Sequence, residues 1–519
     1  MSYRLIPRLL LSTLLISTLP AAVSLPAENA ASLPAEAEGP AKAAMDAFRD
    51  GRHAKAVDLA TPLAEKGNAD ALYLLGFAHE TGQGADASRD KALEYYRKAA
   101  DAKHKDAAYR LSFILLASDK EEEREQARKA LETAAKEDTA VAGRILGEAY
   151  LRGRLTPTPD PDKAVFWWKS AGDAGDVPSI LLLASFYEGQ FGFPELKDLK
   201  ESMALYAKAA GLGNAGAMAT LGSRLLNGDQ SIRDEKKGRE WIKKAIEAKE
   251  YSAYLALGDF EENVKKDLKA ALAEYERGKD AGQVDCMLRS ADFYMEGRGV
   301  EKDTDRGISI LKKAAEGKSP VAQFRMAVYH LSGEKPDLSA GYAYLVAAAT
   351  GNLVEAQNEL GLFYLSGKLG GADAPAGVAW LTRAAQNGNA AAQNNLATLY
   401  EGGAAGLARN LDNAGQLYTL AANQGHGPAT LALARLLSQG GGVKPDLVKA
   451  WALATLASER GEKEADKLVT EIASKLDEKQ LIEARKELAD IKSGKKAEPE
   501  KPKPADKKDA KDAKEKKGK

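Results

Sequence analysis

Apolar residues along most of this chain recur at three- and four-residue spacing, the period of one helix face. Glycine-rich polar turns interrupt them at regular intervals. The stretch 352–388, NLVEAQNELGLFYLSGKLGGADAPAGVAWLTRAAQNG, is representative. It predicts two helices joined by a glycine-containing turn, with Gly388 stopping the second. The same pattern is written about eleven times between residues 68 and 461.

Aligning the units on a small residue of the first helix fixes the register. That residue is Gly76, Ser112, Gly147, Ala184, Gly222, Gly258, Ala291, Ala327, Gly361, Ala397 and Ala434, at spacings of 33 to 38 residues. Leu or Met precedes it in every unit except the seventh, which has Ser290. Glycine inside a helix costs about 1 kcal/mol relative to alanine. Repeating that cost makes sense where a larger side chain would block a close helix–helix approach. Three residues later, Tyr150, Tyr187, Tyr294, Tyr364 and Tyr400 recur; Glu261 breaks this pattern in the sixth unit. Turn glycines follow at Gly82 and Gly84, Gly297 and Gly299, Gly402 and Gly403, and Gly440 to Gly442. Second helices carry aromatic and alanine positions and stop at Gly175, Gly213, Gly282, Gly351, Gly388, Gly425 and Gly461.

No single helix pair of this size buries its own apolar face, whereas stacked neighbours do, so an all-α solenoid is expected. Residues 42–67 read as an N-terminal partial repeat, with Ala56, Val57, Leu59 and Leu63 on one face. Residues 462–491 read as a capping helix pair broken near Asp477.

These residues resemble the Sel-one-like repeat family, a subclass of the tetratricopeptide-like helical solenoids. The family pattern is roughly A-x-x-x-L-G-x-x-Y-x-x-G-x-G-V, a spacer, then A-x-x-W-x-x-K-A-A-x-x-G. Residues 292–315 and 357–388 follow it well, and 146–175 and 433–461 more loosely. The second and sixth units depart most: 111–136 lacks the glycine turn, and 259–267 replaces it with mostly charged residues. The resemblance covers about three-quarters of the chain. It implies a right-handed superhelix of antiparallel helix pairs. It also implies an adaptor or scaffold role in protein complexes, often in bacterial envelopes.

Composition agrees with helix and then narrows the chemistry. The 519 residues are 44% hydrophobic and 29% charged, enough apolar material to fold most of the chain. Residues 492–519 hold 12 Lys and 6 acids, a net of +6; with Arg4 and Arg8 near the start and a total of −1, the body between carries −9. An acidic body without a basic stripe argues against nucleic acid as a ligand. Cys286 is the only cysteine, so an intrachain disulfide and any multi-cysteine metal cage are excluded. His53, His79, His104, His330 and His426 are scattered, with no pair at metal spacing, and no Ser/His/Asp or Cys/His set emerges. Catalytic, cofactor and metal residues are therefore not assigned. Gly440 to Gly442 lacks a preceding strand and a GKS or GKT, so it reads as a repeat turn rather than a phosphate loop.

Residues 1–24 read as a secretory signal, with Arg4 and Arg8 before the apolar run LLLSTLLISTL and small residues at Ala22 and Ser24. The expected location is periplasmic or secreted. Residues 25–41, rich in Ala, Pro and Glu, read as a flexible linker, and 492–519 as a disordered Lys-rich tail. The tail is suited to weak contact with anionic envelope polymers, and equally to none.

All five tryptophans, Trp167, Trp168, Trp241, Trp380 and Trp451, fall in second helices and are expected to fill space between repeats. The tandem pair is the exception. Adjacent helical residues point about 100° apart, so Trp167 and Trp168 cannot be equally buried, and one is expected to be exposed for partner binding. The functional expectation is a non-enzymatic, exported scaffold. Its concave face would bind a protein or extended peptide over roughly 1,600 Å². An assembly factor or regulator for a secreted polysaccharide is the alternative. A hydrolase of cell-wall material or β-lactams is disfavoured, since the relatives linked to that activity carry regular cysteine pairs.

Overall fold

The structure, a computed structural model, describes residues 39–493 apart from 138, 333–334, 369 and 441–443. The signal-like segment, nearly all of the linker and the Lys-rich tail lie outside the described residues. The chain divides into two compact units, up to Gln283 and from Val284. Among the described residues both are helical, and no strand occurs.

In the first unit α1 (Lys42–Arg49) and α2 (His53–Ala64) precede six repeat pairs. These are α3 (Ala69–Thr81) with α4 (Arg89–Asp101), α5 (Lys105–Leu116) with α6 (Glu121–Glu137), and α7 (Thr139–Leu151) with α8 (Pro161–Asp173). Then come α9 (Val177–Tyr187) with α10 (Leu199–Gly211), α11 (Ala215–Asn227) with α12 (Glu235–Glu247), and α13 (Ala253–Phe260) with α14 (Leu268–Asp280). The second unit holds α15 (Val284–Glu296) with α16 (Thr304–Glu316), α17 (Pro320–Leu331) with α18 (Leu338–Thr350), and α19 (Val354–Ser366) with α20 (Ala374–Gln386). It continues with α21 (Ala390–Gly402) and α22 (Leu411–Asn423), α23 (Gly427–Gln439) and α24 (Leu447–Glu459), and ends in α25 (Ala465–Ala473) and α26 (Glu478–Lys492). The eleven register residues all fall in first helices. Within each unit a helix packs mainly on its partner and on the next helix in sequence.

Most helices are 13 residues long, and polar caps set their starts. Asp160, Asp198, Asp234, Asp267, Asp303, Asp337, Asp373 and Asp446 each accept backbone N–H bonds at the start of a second helix. First helices use Asn68, Asp176, Asn214, Ser319 and Asn389 in the same way. His104 and His426 cap α5 and α23 through Nδ1, 3.2 Å from the amides of Ala107 and Ala429. Burial lowers the pKa of both rings, which favours the neutral form that an accepting Nδ1 requires.

Gly175, Gly213, Gly282, Gly388, Gly425 and Gly461 close second helices with positive φ. Gly351 does not: its φ is −73°, and the left-handed residue there is the next one, Asn352 at 65°. Asparagine tolerates that conformation better than most residues. Gly402 also lies inside its helix, and Gly403 makes the turn. Gly441 and Gly442 lie outside the described residues. In the N-terminal pair Ala56 is fully buried and Val57 and Leu63 partly so, while Leu59 is exposed. Ala41, at the end of the expected linker, is buried with that pair.

The sixth unit is built differently. α13 stops after eight residues and runs into a π-helical turn at Glu261–Lys265, with Lys266 left-handed at φ 61°. The charged stretch that breaks the sequence pattern is thus an irregular helix end.

Candidate interaction surface

The tandem tryptophans separate as the helix period requires. Trp168 is fully buried, with its indole N–H donating to the Arg144 carbonyl at 3.3 Å. Its ring fills the space above Gly147, where an added Cβ would come within 2.5 Å of it. Phe191 and Phe193, from the longer loop between α9 and α10, pack with Phe186 around it. Trp168 is thus covered by the protein's own side chains. Trp167 is half-buried against the same core. The side chain this helix offers to solvent is its neighbour Phe166, 61% exposed and edge-on to Trp167.

Positions shared by the repeats are consumed by packing. The small first-helix residue faces one large side chain of the second helix. A Cβ on Gly76 would meet Tyr96 at 2.7 Å, and one on Gly361 would meet Leu381 at 2.8 Å. Small residues of the second helix reciprocate, as Gly377 does against Leu365. Four residues after the small residue comes a position whose identity follows the knob. Where the knob is Tyr96, Tyr206, Tyr275 or Tyr418, this position is Glu80, Glu188, Glu262 or Glu401, and its carboxylate accepts the phenol hydrogen bond. Where the knob is Leu, Ile or Trp it is Leu116, Leu151, Leu226, Met295, Leu331 or Leu365; in the eleventh unit the knob position holds Ala454 and Ser438 stands there. A buried phenol needs a polar partner, and the glutamate supplies it. Burial and the adjacent carboxylate raise the pKa of Tyr96, Tyr275 and Tyr418, so these hydroxyls stay protonated donors. Arg110 and Arg224 of the following repeats bind Glu80 and Glu188, tying neighbours together.

The first-helix positions one residue after and two before the small residue vary between repeats. Neighbouring repeats meet there. In the second unit Asp292 is ion-paired with Arg325; in the first, the Arg110 guanidinium lies 5.0 Å from the centre of the Phe77 ring. Glu148 occupies the same position in α7 but is 5% exposed, and burial lifts its pKa to about 7 despite Arg152 and Arg144 nearby. Its Oε2 makes no hydrogen bond.

The second unit departs from this on α17 and α19. All three exposed side chains of α17 are apolar: Val321, Val328 and Tyr329, 36%, 39% and 47% exposed. Leu362, the counterpart of Val328 on α19, is 37% exposed. Glu355 and Glu359 precede it on the same helix, and both are exposed. Neither makes an ion pair among the described residues. Glu359 takes one bond, from the Asn358 amide at 3.2 Å, and crowding by surrounding protein raises its pKa, although Lys368 acts on it from beyond ion-pair distance in the lowering direction. The register that sets Asp292 against Arg325 sets Val328, in place of an acid, opposite Glu359.

A depression of about 720 Å³ is lined from α22, α23 and the start of α24, with Leu420, Leu433, Leu437, Lys444 and Lys449 among its lining residues. Among the described residues no group of three His, Cys, Asp or Glu side chains could hold a metal ion, and no helix is long and apolar enough to cross a membrane.

The Sel1 repeat family model matches nine segments: 69–104, 144–176, 177–214, 215–249, 284–319, 320–353, 354–389, 390–426 and 427–462. The segments it passes over hold the second and sixth helix pairs, where the sequence pattern departs most. Chitin synthase regulator SKT5 of Saccharomyces cerevisiae is 28% identical over 251 residues, covering 44% of this chain and 35% of that protein. The match thus spans about a third of that relative's length. A protective antigen of uropathogenic Escherichia coli with an SLR fold is 22% identical, with 86% of this chain and 99% of that one covered and a TM-score of 0.45. A Sel1 repeat protein from Oxalobacter formigenes is 25% identical, covering 63% and 93%, with a TM-score of 0.41. With the repeat model matching more than half of its length, this chain belongs to the Sel1 repeat family.

Proposed function

We propose that this protein is an exported, non-catalytic scaffold of the cell envelope that holds a protein partner on the first-helix face of α17 and α19. The Sel1 repeat scaffold is suited to protein–protein interaction. The observation that carries the choice of face is the exposure of Val321, Val328, Tyr329 and Leu362 on two consecutive first helices. In other repeats the counterparts of Val328 and Leu362 are polar, as at Asp292, Thr398 and Arg435, or are packed away, as at Phe77. A cluster of solvated apolar side chains rimmed by charge marks an interaction site more often than scattered single ones. The export half of the proposal rests on the signal-like residues 1–24.

A photo-reactive residue at position 328, introduced into the protein in its own cells, tests this. A discrete protein adduct is expected from 328 and none from Lys313 on the second helix α16. No adduct at 328, or the same adducts at both positions, would overturn the assignment. Fractionation of the same cells tests the envelope location.

A narrower reading, regulation of polysaccharide synthesis, draws support from the likeness to a chitin synthase regulator. It requires the adduct partner to be a glycosyltransferase or a component of its complex.

A further inference from the structure

We propose that the α17–α19 face selects a peptide segment in which large apolar side chains are followed closely by lysine or arginine. The inference deepens the scaffold reading and rests on it. Its warrant is charge complementarity at one place in the register. Between α15 and α17 the acid at the contact position, Asp292, is answered by Arg325 from the next repeat. Between α17 and α19 the same register puts Val328 opposite the acid, Glu359, and among the described residues neither Glu359 nor Glu355 makes an ion pair, Lys368 acting on Glu359 only from a distance. The chain supplies at one repeat junction the contact that a ligand would supply at the next. Crowding raises the Glu359 pKa, and a cation brought to it would lower it again.

The geometry restricts the ligand further. Glu355 and Glu359 are four residues apart on one helix, so their carboxylates project from the same side about 6 Å apart along the axis. Leu362 follows within one turn on the same side. An extended segment places side chains i and i+2 on one face roughly 6.6 Å apart, which matches two basic residues to the two acids. Apolar neighbours in that segment would then lie over Leu362, Val328 and Tyr329.

Other occupants fit less well. Residues 494–519 carry the basic charge but contain no apolar side chain larger than alanine or proline, and would leave the stripe uncovered. A second copy would bring the same acids and the same apolar groups to the interface, with its Arg325 already engaged by Asp292. An anionic lipid surface would meet Glu355 and Glu359 with like charge.

The test is selection of a displayed library of random 12-residue peptides against the immobilised full-length protein, then anisotropy with the enriched peptides in synthetic form. Enriched sequences are expected to combine Leu, Ile, Phe or Trp with Lys or Arg. Val328→Asp and Leu362→Asp should each weaken them about tenfold, near 1.4 kcal/mol. Glu355→Gln with Glu359→Gln should weaken them several-fold at low salt and hardly at all at 0.5 M salt, where ion pairs are screened. All four positions are exposed, so unchanged helicity and Tm of the variants separate lost binding from lost folding.

Enrichment of acidic peptides, binding unmoved by Val328→Asp, displacement by a synthetic 494–519 peptide, or a wild-type dimer dissolved by Val328→Asp would each overturn the inference. If acidic peptides are selected while the position-328 adduct still forms, the specificity fails and the scaffold reading stands.

Discussion

At Gly147 one hydrogen decides whether a repeat closes. A methyl group there would sit 2.5 Å from the fully buried indole of Trp168. Alanine's helix propensity favours the substitution by about 1 kcal/mol, while overpacking a filled core typically opposes it by about 1–3 kcal/mol. Gly147→Ala is therefore expected to lower Tm. Gly211, at the end of α10, has open space where its Cβ would be and no positive φ. Gly211→Ala should leave Tm unchanged or raise it. Both are read by thermal unfolding followed by circular dichroism. The small register residues were legible in the sequence, because a repeated glycine in a helix asks for a reason. Their opposite numbers were not, since a knob is recognised only once the helices are paired.

The tyrosine–glutamate pairing is of the same kind. Tyr418 donates to Glu401 at 2.7 Å and lies 3.1 Å from the Thr398 hydroxyl. Glu401→Leu removes the phenol's carboxylate, and Tyr418→Leu leaves that carboxylate without its donor. Each alone should destabilise by about 1–2 kcal/mol. The double replacement recreates the all-apolar pair of Leu365 and Leu381. It should lose less than the two singles together, a coupling of about 0.5–2 kcal/mol in a double-mutant cycle. Additive losses would mean that the pair recurs without interacting.

Among the elements, α7 carries an electrostatic liability. Glu148 is buried, and its pKa of about 7 lies above the ordinary carboxylate value. The folded state thus binds its proton more tightly than the unfolded one. Below about pH 4.5 both states are protonated and no penalty exists; the penalty grows through the window up to pH 7 and is complete above it. Its ceiling is on the order of 3 kcal/mol. Glu148→Gln should therefore raise Tm at pH 8, match wild type at pH 4, and flatten the pH dependence between. His104 and His426 act in the opposite sense. Their lowered pKa values mean that their stabilising contribution is present above the unfolded histidine value and is lost as pH falls.

Elements also mark where sequence reading stopped. The helix pairs, their register and the two irregular units follow from periodicity and turn glycines. Gly351 misled because a glycine near a helix end need not be the residue that turns: Asn352 takes the left-handed conformation instead. For the tandem tryptophans the helix period requires divergence but does not say which ring is covered or how far the other is exposed. Adjacent residues must diverge, but the loop carrying Phe191 and Phe193 folds over Trp168, and Phe166 becomes the exposed member of the group. Nothing local to α8 reveals a cover supplied from a distant loop.

Across the whole molecule, stability is built from one contact scheme written repeatedly, and a repeat array of this kind sums local and nearest-neighbour terms. The scheme occupies the small residue, its knob and the position four residues on. It leaves free positions that vary between repeats, and there, among the described residues, the second unit shows an apolar face beside two acids that make no ion pair. The sequence could not point to that face. Val328 and Leu362 look like core residues in a helical pattern until burial is known, and Glu359 looks like any solvated charge.

In the proposed function, shared positions build the molecule while unshared first-helix positions bind. The yield of the protein adduct trapped from a photo-reactive residue at 328, measured with and without Leu362→Asp in the same chain, tests it most directly. A discrete adduct that disappears with Leu362→Asp while Tm stays within a degree or two is expected. An adduct that survives Leu362→Asp, or one that vanishes only because the protein has unfolded, would contradict it.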